Sequence, residues 1–299
     1  MATASQSLTG AGLIDDGLPK ARSVWASAWS RFAANRLALI SLIFAIVLAV
    51  VAIFAPLIAP YGAAQTDYAH SLVGTGSAGH WLGTDTLGRD ILSRLIFSLR
   101  TAFIVALSSQ ALAVVCAVAV GLVAGYVGGR VDQLLMAATD VMFAFPAYLF
   151  TIILVTVMGR GLLAIGIAIG ISSWVTLARL VRGQVFVVKV NEYIEAGRAM
   201  GASGWTIAVR YILPNSVGPI LVSLSFGIPA AITAESGLAL LGLGVQPPTP
   251  SWGSMIAEGM QYVLGAPHML IWPTVLFVVT VLAFTWIGDG LRDAFDVGE

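Results

Sequence analysis

The sequence predicts an all-α polytopic membrane protein with six transmembrane helices, and three observations lead there. Only 10% of the 299 residues are charged while 58% are hydrophobic, whereas a soluble domain carries about a quarter charged residues. Mean hydropathy is +0.92. The apolar residues gather into six long runs, at roughly 37–59, 101–127, 134–158, 161–181, 214–241 and 269–288. As helices, such runs cross about 30 Å of hydrocarbon. An unpaired backbone amide is costly in lipid, so helix is the form expected of each.

Taken in order, residues 1–36 form a polar tail, expected in the cytoplasm, and 37–59 an N-terminal anchor helix. That run exceeds the about 7–15 apolar residues of a secretory signal core, so it is expected to be retained. Residues 60–100 form an external segment, in which Leu92, Ile96 and Leu99 share one helical face while Arg89, Arg94 and Arg100 lie away from it. That pattern predicts an amphipathic helix in the outer interface, with an external docking surface as the sharper alternative. The core spans 101–288. Within it the third and fourth runs are separated by Gly159-Arg160-Gly161, a tight helical hairpin, and Pro146, Pro219, Pro229 and Pro273 mark kinks. Residues 242–267 are rich in Pro and Gly, which favours defined turns over continuous helix and allows a part in gating or partner contact. Residues 289–299 form a cytoplasmic tail.

Orientation follows from the basic residues. With the N-terminus inside, Lys20, Arg22, Arg31, Arg36, Arg130, Arg179, Arg182, Lys189, Arg198, Arg210 and Arg292 are cytoplasmic, and Arg89, Arg94, Arg100 and Arg160 are external. Both termini then lie inside, as does the polar stretch EYIEAGRAMGASGWTIAVRYILPN at 192–215.

That stretch carries the functional signal. Asn191 suits an N-cap, Glu192 and Glu195 suit the positive end of a helix, and Gly201 suits a left-handed stop, which predicts a short helix over 192–200. Ser203 can cap a second helix running to Pro214, with Trp205, Ile207 and Val209 to Ile212 against the membrane interface. The first helix is rich in small residues, and nothing in the loop supplies a core of its own. Glycine costs about 1 kcal/mol relative to alanine in a helix interior, and so short a helix is marginal alone. Small side chains do admit a second backbone closely. A helix held by a cytoplasmic partner is therefore expected, in preference to one resting on lipid.

Other chemistry is sparse. Cys116 sits in an apolar run as an inert thiol, and His70, His80 and His268 show no spacing that suggests a metal site, so no metal is expected. Zero formal net charge argues against nucleic acid as a partner. No Walker A loop is present: the only lysines, Lys20 and Lys189, follow Pro19 and Val188. A serine-protease reading of GASG at 201–204 would pair Ser203 with His268 across about 30 Å of membrane, where a nucleophile and its base need about 3.2 Å. An ion-driven secondary transporter would use Asp140 or Glu235 as proton carriers; both are read instead as interfacial or inter-helix hydrogen-bond partners.

The stretch resembles the EAA loop of ABC importer permeases, reading Glu195-Ala196-Gly197, then Gly201, then Leu213-Pro214, with Gly197 in place of the third-position Ala and Tyr211 where an aliphatic residue is usual. GTDTLGRDILSRL, DVMFAFP, LGLGVQPPTPSWGSM and GDGLRDAFD are similar to segments of the C-type permease of dipeptide/oligopeptide (peptide/nickel) ABC importers, in the same order along nearly the whole chain. The resemblance implies a type I importer permease (MetI-like) fold in a bacterial inner membrane. It also implies a B-type sister permease, two ABC ATPase subunits or a homodimer of one, an external solute-binding protein, and a peptide cargo. Glutathione, nickel or another small solute within the same family is the alternative. ATP and Mg would be bound by the ATPases and no cofactor by this chain. The coupling loop would be 190–213, with Glu195 making polar contact at an ATPase, Ala196, Gly197, Gly201 and Ala202 admitting its surface, and Arg198 and Arg210 pairing with ATPase acids or lipid phosphates. Catalytic residues are expected to be absent, and solute-binding residues are not assigned.

Overall fold

The computed structural model describes residues 24–77 and 79–296. Among them the regular structure is helical, with two isolated bridges, Ser77 with His80 and Thr84 with Asp90. In chain order the helices are α1 (Val24–Ala34), α2 (Arg36–Ile53), α3 (Ala55–Ile58), a single 3-10 turn at Tyr68–His70, α4 (Ile91–Val127), α5 (Gly129–Ala144), α6 (Ala147–Met158), α7 (Leu162–Val188), α8 (Glu192–Ala199), α9 (Gly204–Thr206) running through a π segment (Ile207–Ile212) into α10 (Leu213–Leu240), α11 (Trp252–Gln261) and α12 (His268–Phe295).

Five helices are long and apolar enough to cross a membrane: α2, α4, α7, the unit from α9 to α10, and α12. The sixth expected span, 134–158, is broken. α5 and α6 meet at 84° at Phe145-Pro146, since Pro146 can neither donate to the helical ladder nor fit its ring against the carbonyl four residues back. The other prolines leave their helices continuous: Pro219 and Pro229 lie within α10 and Pro273 within α12.

The bundle is centred on α4 against α7. Each carries two glycines four apart, Gly121 and Gly125 on α4, Gly166 and Gly170 on α7, the small-xxx-small spacing that lets membrane helices approach closely. A Cβ at Gly121 would sit 2.5 Å from the Ala178 carbonyl oxygen, and one at Gly170 2.8 Å from that of Ser109. Around this pair, α10 packs on α4, α7 and α12, and α12 closes onto α2 and α1. Two larger apolar clusters result. One joins α4, α10, α11 and α12 through Ile91, Leu95, Leu238, Trp252, Met255 and Met269. The other joins α7, α8 and the π segment at the opposite end.

Several boundaries differ from expectation. The second span does not start near 101: α4 is continuous from Ile91, so no separate interfacial helix precedes it. The three arginines expected away from its apolar face differ as well: Arg89, just before α4, and Arg94 are buried, and only Arg100 is exposed. α7 runs on to Val188 and α12 to Phe295, so most of the expected 289–299 tail is helix. The connection 242–267 contains α11, capped by Ser251, whose Oγ accepts from the Ser254 amide at 3.1 Å while Ser254 Oγ accepts from the Ser251 amide. The expected tail 1–36 includes α1; Lys20 and Arg22 fall outside the described residues.

Residues 60–90 fold into a polar cap over the start of α4. Asp85 accepts from the Leu87 and Arg89 amides and from Arg89 Nε at 2.6 Å, with Arg94 Nε at 3.5 Å. Glu258 on α11 reaches Arg89 at 3.4 Å and accepts from Thr86 Oγ1 at 2.8 Å. Asp90 caps α4 through the Ser93 amide at 2.7 Å and bonds His80 Nδ1 at 3.0 Å. Gly88, at φ +72°, is where the cap closes most tightly: a Cβ there would lie 1.7 Å from the Asp67 carbonyl oxygen.

Candidate functional site

The polar stretch at 192–215 folds as two short helical pieces bridging α7 and α10. α8 starts where Asn191 turns extended, and its first turn carries Glu192 and Glu195. Asn191 holds the N-cap position but not the bond: its Nδ2 donates back to the Val188 carbonyl at 3.0 Å, and no side chain caps the helix. At the other end Gly201 adopts φ +83°. Its amide bonds the Arg198 carbonyl at 2.9 Å and that of Ala202 bonds the Gly197 carbonyl at 3.0 Å, the paired bonds of a Schellman stop. Ser203 then caps α9, its Oγ accepting from the Thr206 amide at 3.2 Å.

The second helix, expected to run to Pro214, does not stop there. The chain widens into π turns over Ile207–Ile212 and continues into α10 without a gap. Pro214 has no N–H for the Arg210 carbonyl, and a widened turn relieves the ring against it. Asn215 Nδ2 covers the Tyr211 carbonyl at 2.6 Å.

The loop also has a core, contrary to the sequence reading. Ile194, Ile207, Ala208 and Ile212 are buried against Leu177, Val181, Val185 and Val188 of α7 and Leu122 of α4. Ile194 is fully buried. Polar ties fix the same corner: Lys189 Nζ donates to the Gly125 carbonyl at 2.9 Å, and Arg182 Nη2 bonds Asp132 at 2.6 Å, joining α7 to α5. Gly204 rests on the Tyr126 ring of α4, whose hydroxyl a Cβ would approach to 3.1 Å. α8 is thus held by its own chain.

Of the seven residues expected to meet a partner, the structure turns five outward: Glu195, Ala196, Arg198, Gly201 and Arg210 are exposed. Gly197 points inward, toward the Tyr211 ring, and is corrected to a packing position; Ala202 is half-buried against the same cluster. The outward face gains residues that the motif did not single out: Met200 is 78% exposed and Trp205 76%. Tyr193 is exposed beside them. Glu192, Glu195, Arg198 and Arg210 form no ion pair among the described residues. The corner therefore presents a charged rim and bare apolar tips on a base fixed from beneath.

A second feature lies deeper. A cavity of about 450 Å³ opens between α4, α6, α7 and α10, lined by Gln110, Tyr148, Thr151, Ser172, Ser173, Thr176 and Ser223 among others. Gln110 Nε2 donates to the Gly227 carbonyl at 3.0 Å, and Thr151 Oγ1 to Ser172 Oγ at 2.8 Å. Among the described residues no charged side chain lines it. The sequence reading assigned no such residues: each is one hydroxyl or amide in an apolar run, and only the packing of four helices brings them together.

Asp140 on α5 pairs with Arg179 on α7 at 2.7 Å, an inter-helix partner as expected. Glu235 is buried in α10 beside Ser251 and the Val245 amide. Ser203 and His268 lie at opposite ends of α10, about 40 Å of helix apart, and His268 Nε2 faces the Thr84 carbonyl at 3.1 Å. They form no catalytic pair.

Residues 117–298 match the family model described as "Binding-protein-dependent transport system inner membrane component", and residues 23–74 match "N-terminal TM domain of oligopeptide transport permease C". The chain is 42% identical over 276 residues to the glutathione transport system permease protein GsiD of Pectobacterium atrosepticum, covering 92% of this chain and 91% of the relative. It is 37% identical over 277 residues to the oligopeptide transport system permease protein OppC of Bacillus subtilis, covering 93% and 90%. Against GsiD of Escherichia coli the identity is 41% over 279 residues, covering 92% and 91%.

Proposed function

The chain belongs to the family of binding-protein-dependent transport system inner membrane components, and from that premise we propose that α8 is the lever by which cytoplasmic ATPases drive its bundle. The observation that carries this reading is the contrast within one short helix. Its buried side is fixed by Ile194 to the cluster of α7, α4 and the π segment, while Glu195, Ala196 and Arg198 stand outward, the two charges without an ion pair among the described residues. A surface so anchored transmits displacement to the spans, because a close-packed cluster moves as a unit.

In this reading the loop and both termini face the cytoplasm, in line with the basic-residue bias. A sister permease of B type completes the pathway, two ABC ATPase subunits bind ATP and Mg, and an external binding protein delivers the solute to the cap end. Glu195 and Arg198 supply polar contacts to the ATPase, and Ala196 and Gly201 admit its surface. The cavity beside Gln110, Ser172 and Ser223 is this chain's share of the passage. Its hydroxyls and amide suit peptide groups, and its lack of charge leaves side-chain discrimination to the binding protein. The cargo is a short peptide. Glutathione, itself a tripeptide, is the second reading, favoured by the higher identity to the glutathione permeases than to the oligopeptide one at similar coverage.

Reconstitution of the complete importer tests the coupling. Glu195→Arg and Gly201→Trp are expected to leave the chain inserted and ATP hydrolysis measurable while uptake of labelled peptide falls by at least tenfold. Unimpaired uptake by both variants would contradict the lever. Uptake of a labelled dipeptide, with unlabelled glutathione as competitor, separates the two cargo readings.

A further inference from the structure

The cap over α4 gathers a side-chain trio unrelated to the coupling corner. Asp67, His70 and His80 each place one potential ligand atom within 4.8 Å of one from each of the others. Asp67 caps the single 3-10 turn and His70 ends it, with His70 Nδ1 and Asp67 Oδ2 2.7 Å apart and both side chains about half exposed. His80 arrives from ten residues further along and is buried.

We propose that Asp67, His70 and His80 form a binding site for a first-row divalent cation of the Zn²⁺ type, with its remaining positions open to water. The donor set, two imidazoles and a carboxylate, is one that such cations take up with three protein ligands. His80 is prepared for the task. Its Nδ1 bonds the buried carboxylate of Asp90 at 3.0 Å, and Asp90 is itself fixed by the Ser93 amide and hydroxyl at 2.7 Å each. A carboxylate on one ring nitrogen orients the imidazole and raises the basicity of the other nitrogen, the usual surround of a metal-bound histidine. Nε2 of His80 is the atom left for a cation, and it has no hydrogen-bond partner among the described residues.

A structural role alone accounts for the His80–Asp90 pair. It does not account for a second imidazole and a second carboxylate converging on the same ring, whose centroid lies 6.0 Å from that of His70. Tetrahedral ligand atoms stand about 3.4 Å apart around zinc, so atoms as much as 4.8 Å apart have to close by up to about 1.4 Å, while the Asp67–His70 pair at 2.7 Å has to open slightly. Asp67 and His70 are exposed and free to rotate inward, while His80 stays on its support. Binding would replace the direct Asp67–His70 contact and tie residues 67–70, through His80 and Asp90, to the first turn of α4.

The test is Zn²⁺ titration of the purified, untagged full chain in detergent against a chromophoric chelator. Saturable binding of one equivalent is expected, weakened at least tenfold by His70→Ala and lost in Asp67→Ala/His70→Ala. Both substitutions are at exposed side chains, so the fold is retained, and circular dichroism checks it. Absence of saturable binding by the parent chain, or an affinity unchanged in the double variant, would overturn the site. His80→Ala is the less clean variant, since it also removes the Asp90 partner. The outcome is independent of the coupling proposal, because no transport is measured.

Discussion

The two polar ends of this molecule treat charge in opposite ways. At the cap, Asp85, Arg89, Arg94 and Glu258 are drawn into one network, and His80 and Asp90 into another, with most of these side chains buried. At the α8 corner, Glu192, Glu195, Arg198 and Arg210 stand exposed with no ion pair among the described residues, over a base of packed isoleucine and valine. Buried charge must find its partner within the chain, because an uncompensated ion in an apolar surround is very costly. Exposed charge carries no such demand and remains available to another chain. The difference teaches where to look for each role: the buried charges of the cap build the fold, and the exposed charges of α8 and Arg210 do not.

Substitutions that break this contrast rank by size. Asp85→Ala leaves Arg89 and Arg94 without their shared carboxylate, and loss of one partner from a buried pair costs about 3–5 kcal/mol. Thermal unfolding of the solubilised chain should show the largest fall of any single change here. Ile194→Ala comes next: it empties a fully buried site under α8, with a cost of about 2–5 kcal/mol. It should also lower coupled uptake without touching the outward face, as a lever fixed from beneath requires. Gly121→Ala drives a methyl to 2.5 Å from the Ala178 carbonyl oxygen, and such overpacking costs about 1–3 kcal/mol; the same melting measurement reads it. Glu195→Ala is the smallest in stability, under about 0.5 kcal/mol as for most surface changes. Yet it should reduce uptake per ATP hydrolysed severalfold. Equal stability losses at Asp85 and Glu195 would erase the contrast.

Much of this was legible in the sequence, and the failures have a common physical origin. Hydropathy placed the spans because length against bilayer thickness is a property of the chain alone. The C-terminal end of α8 was also local: Gly201 takes the left-handed conformation that stops the helix, and Ser203 caps the next piece. What was missed depended on distant partners. Arg89 and Arg94 read as solvent-facing because their carboxylates, Asp85 and especially Glu258, become neighbours only when α11 folds back on the cap. α11 itself read as turns because residues 242–267 are rich in Pro and Gly; within it Gly253 and Gly259 are contact points, with a Cβ on Gly253 lying 2.5 Å from Ser236 Cα and one on Gly259 2.7 Å from the Leu270 amide nitrogen. Gly197 read as outward because small residues in a motif do not say which face they serve. The histidines read as scattered because their convergence with Asp67 is made by the cap.

The most direct test of the central claim is site-directed cross-linking from the outward face of α8 in the assembled importer. With Cys116 replaced by Ser and Ala196 by Cys, a short bifunctional reagent should join this chain to an ATPase subunit, in a yield that changes on adding nucleotide. A cysteine at Ser71 in the cap, on the opposite end of the bundle, should give no such product. If position 196 reacts only with solvent or lipid while the same preparation transports normally, α8 is not gripped by the ATPase and the account is wrong.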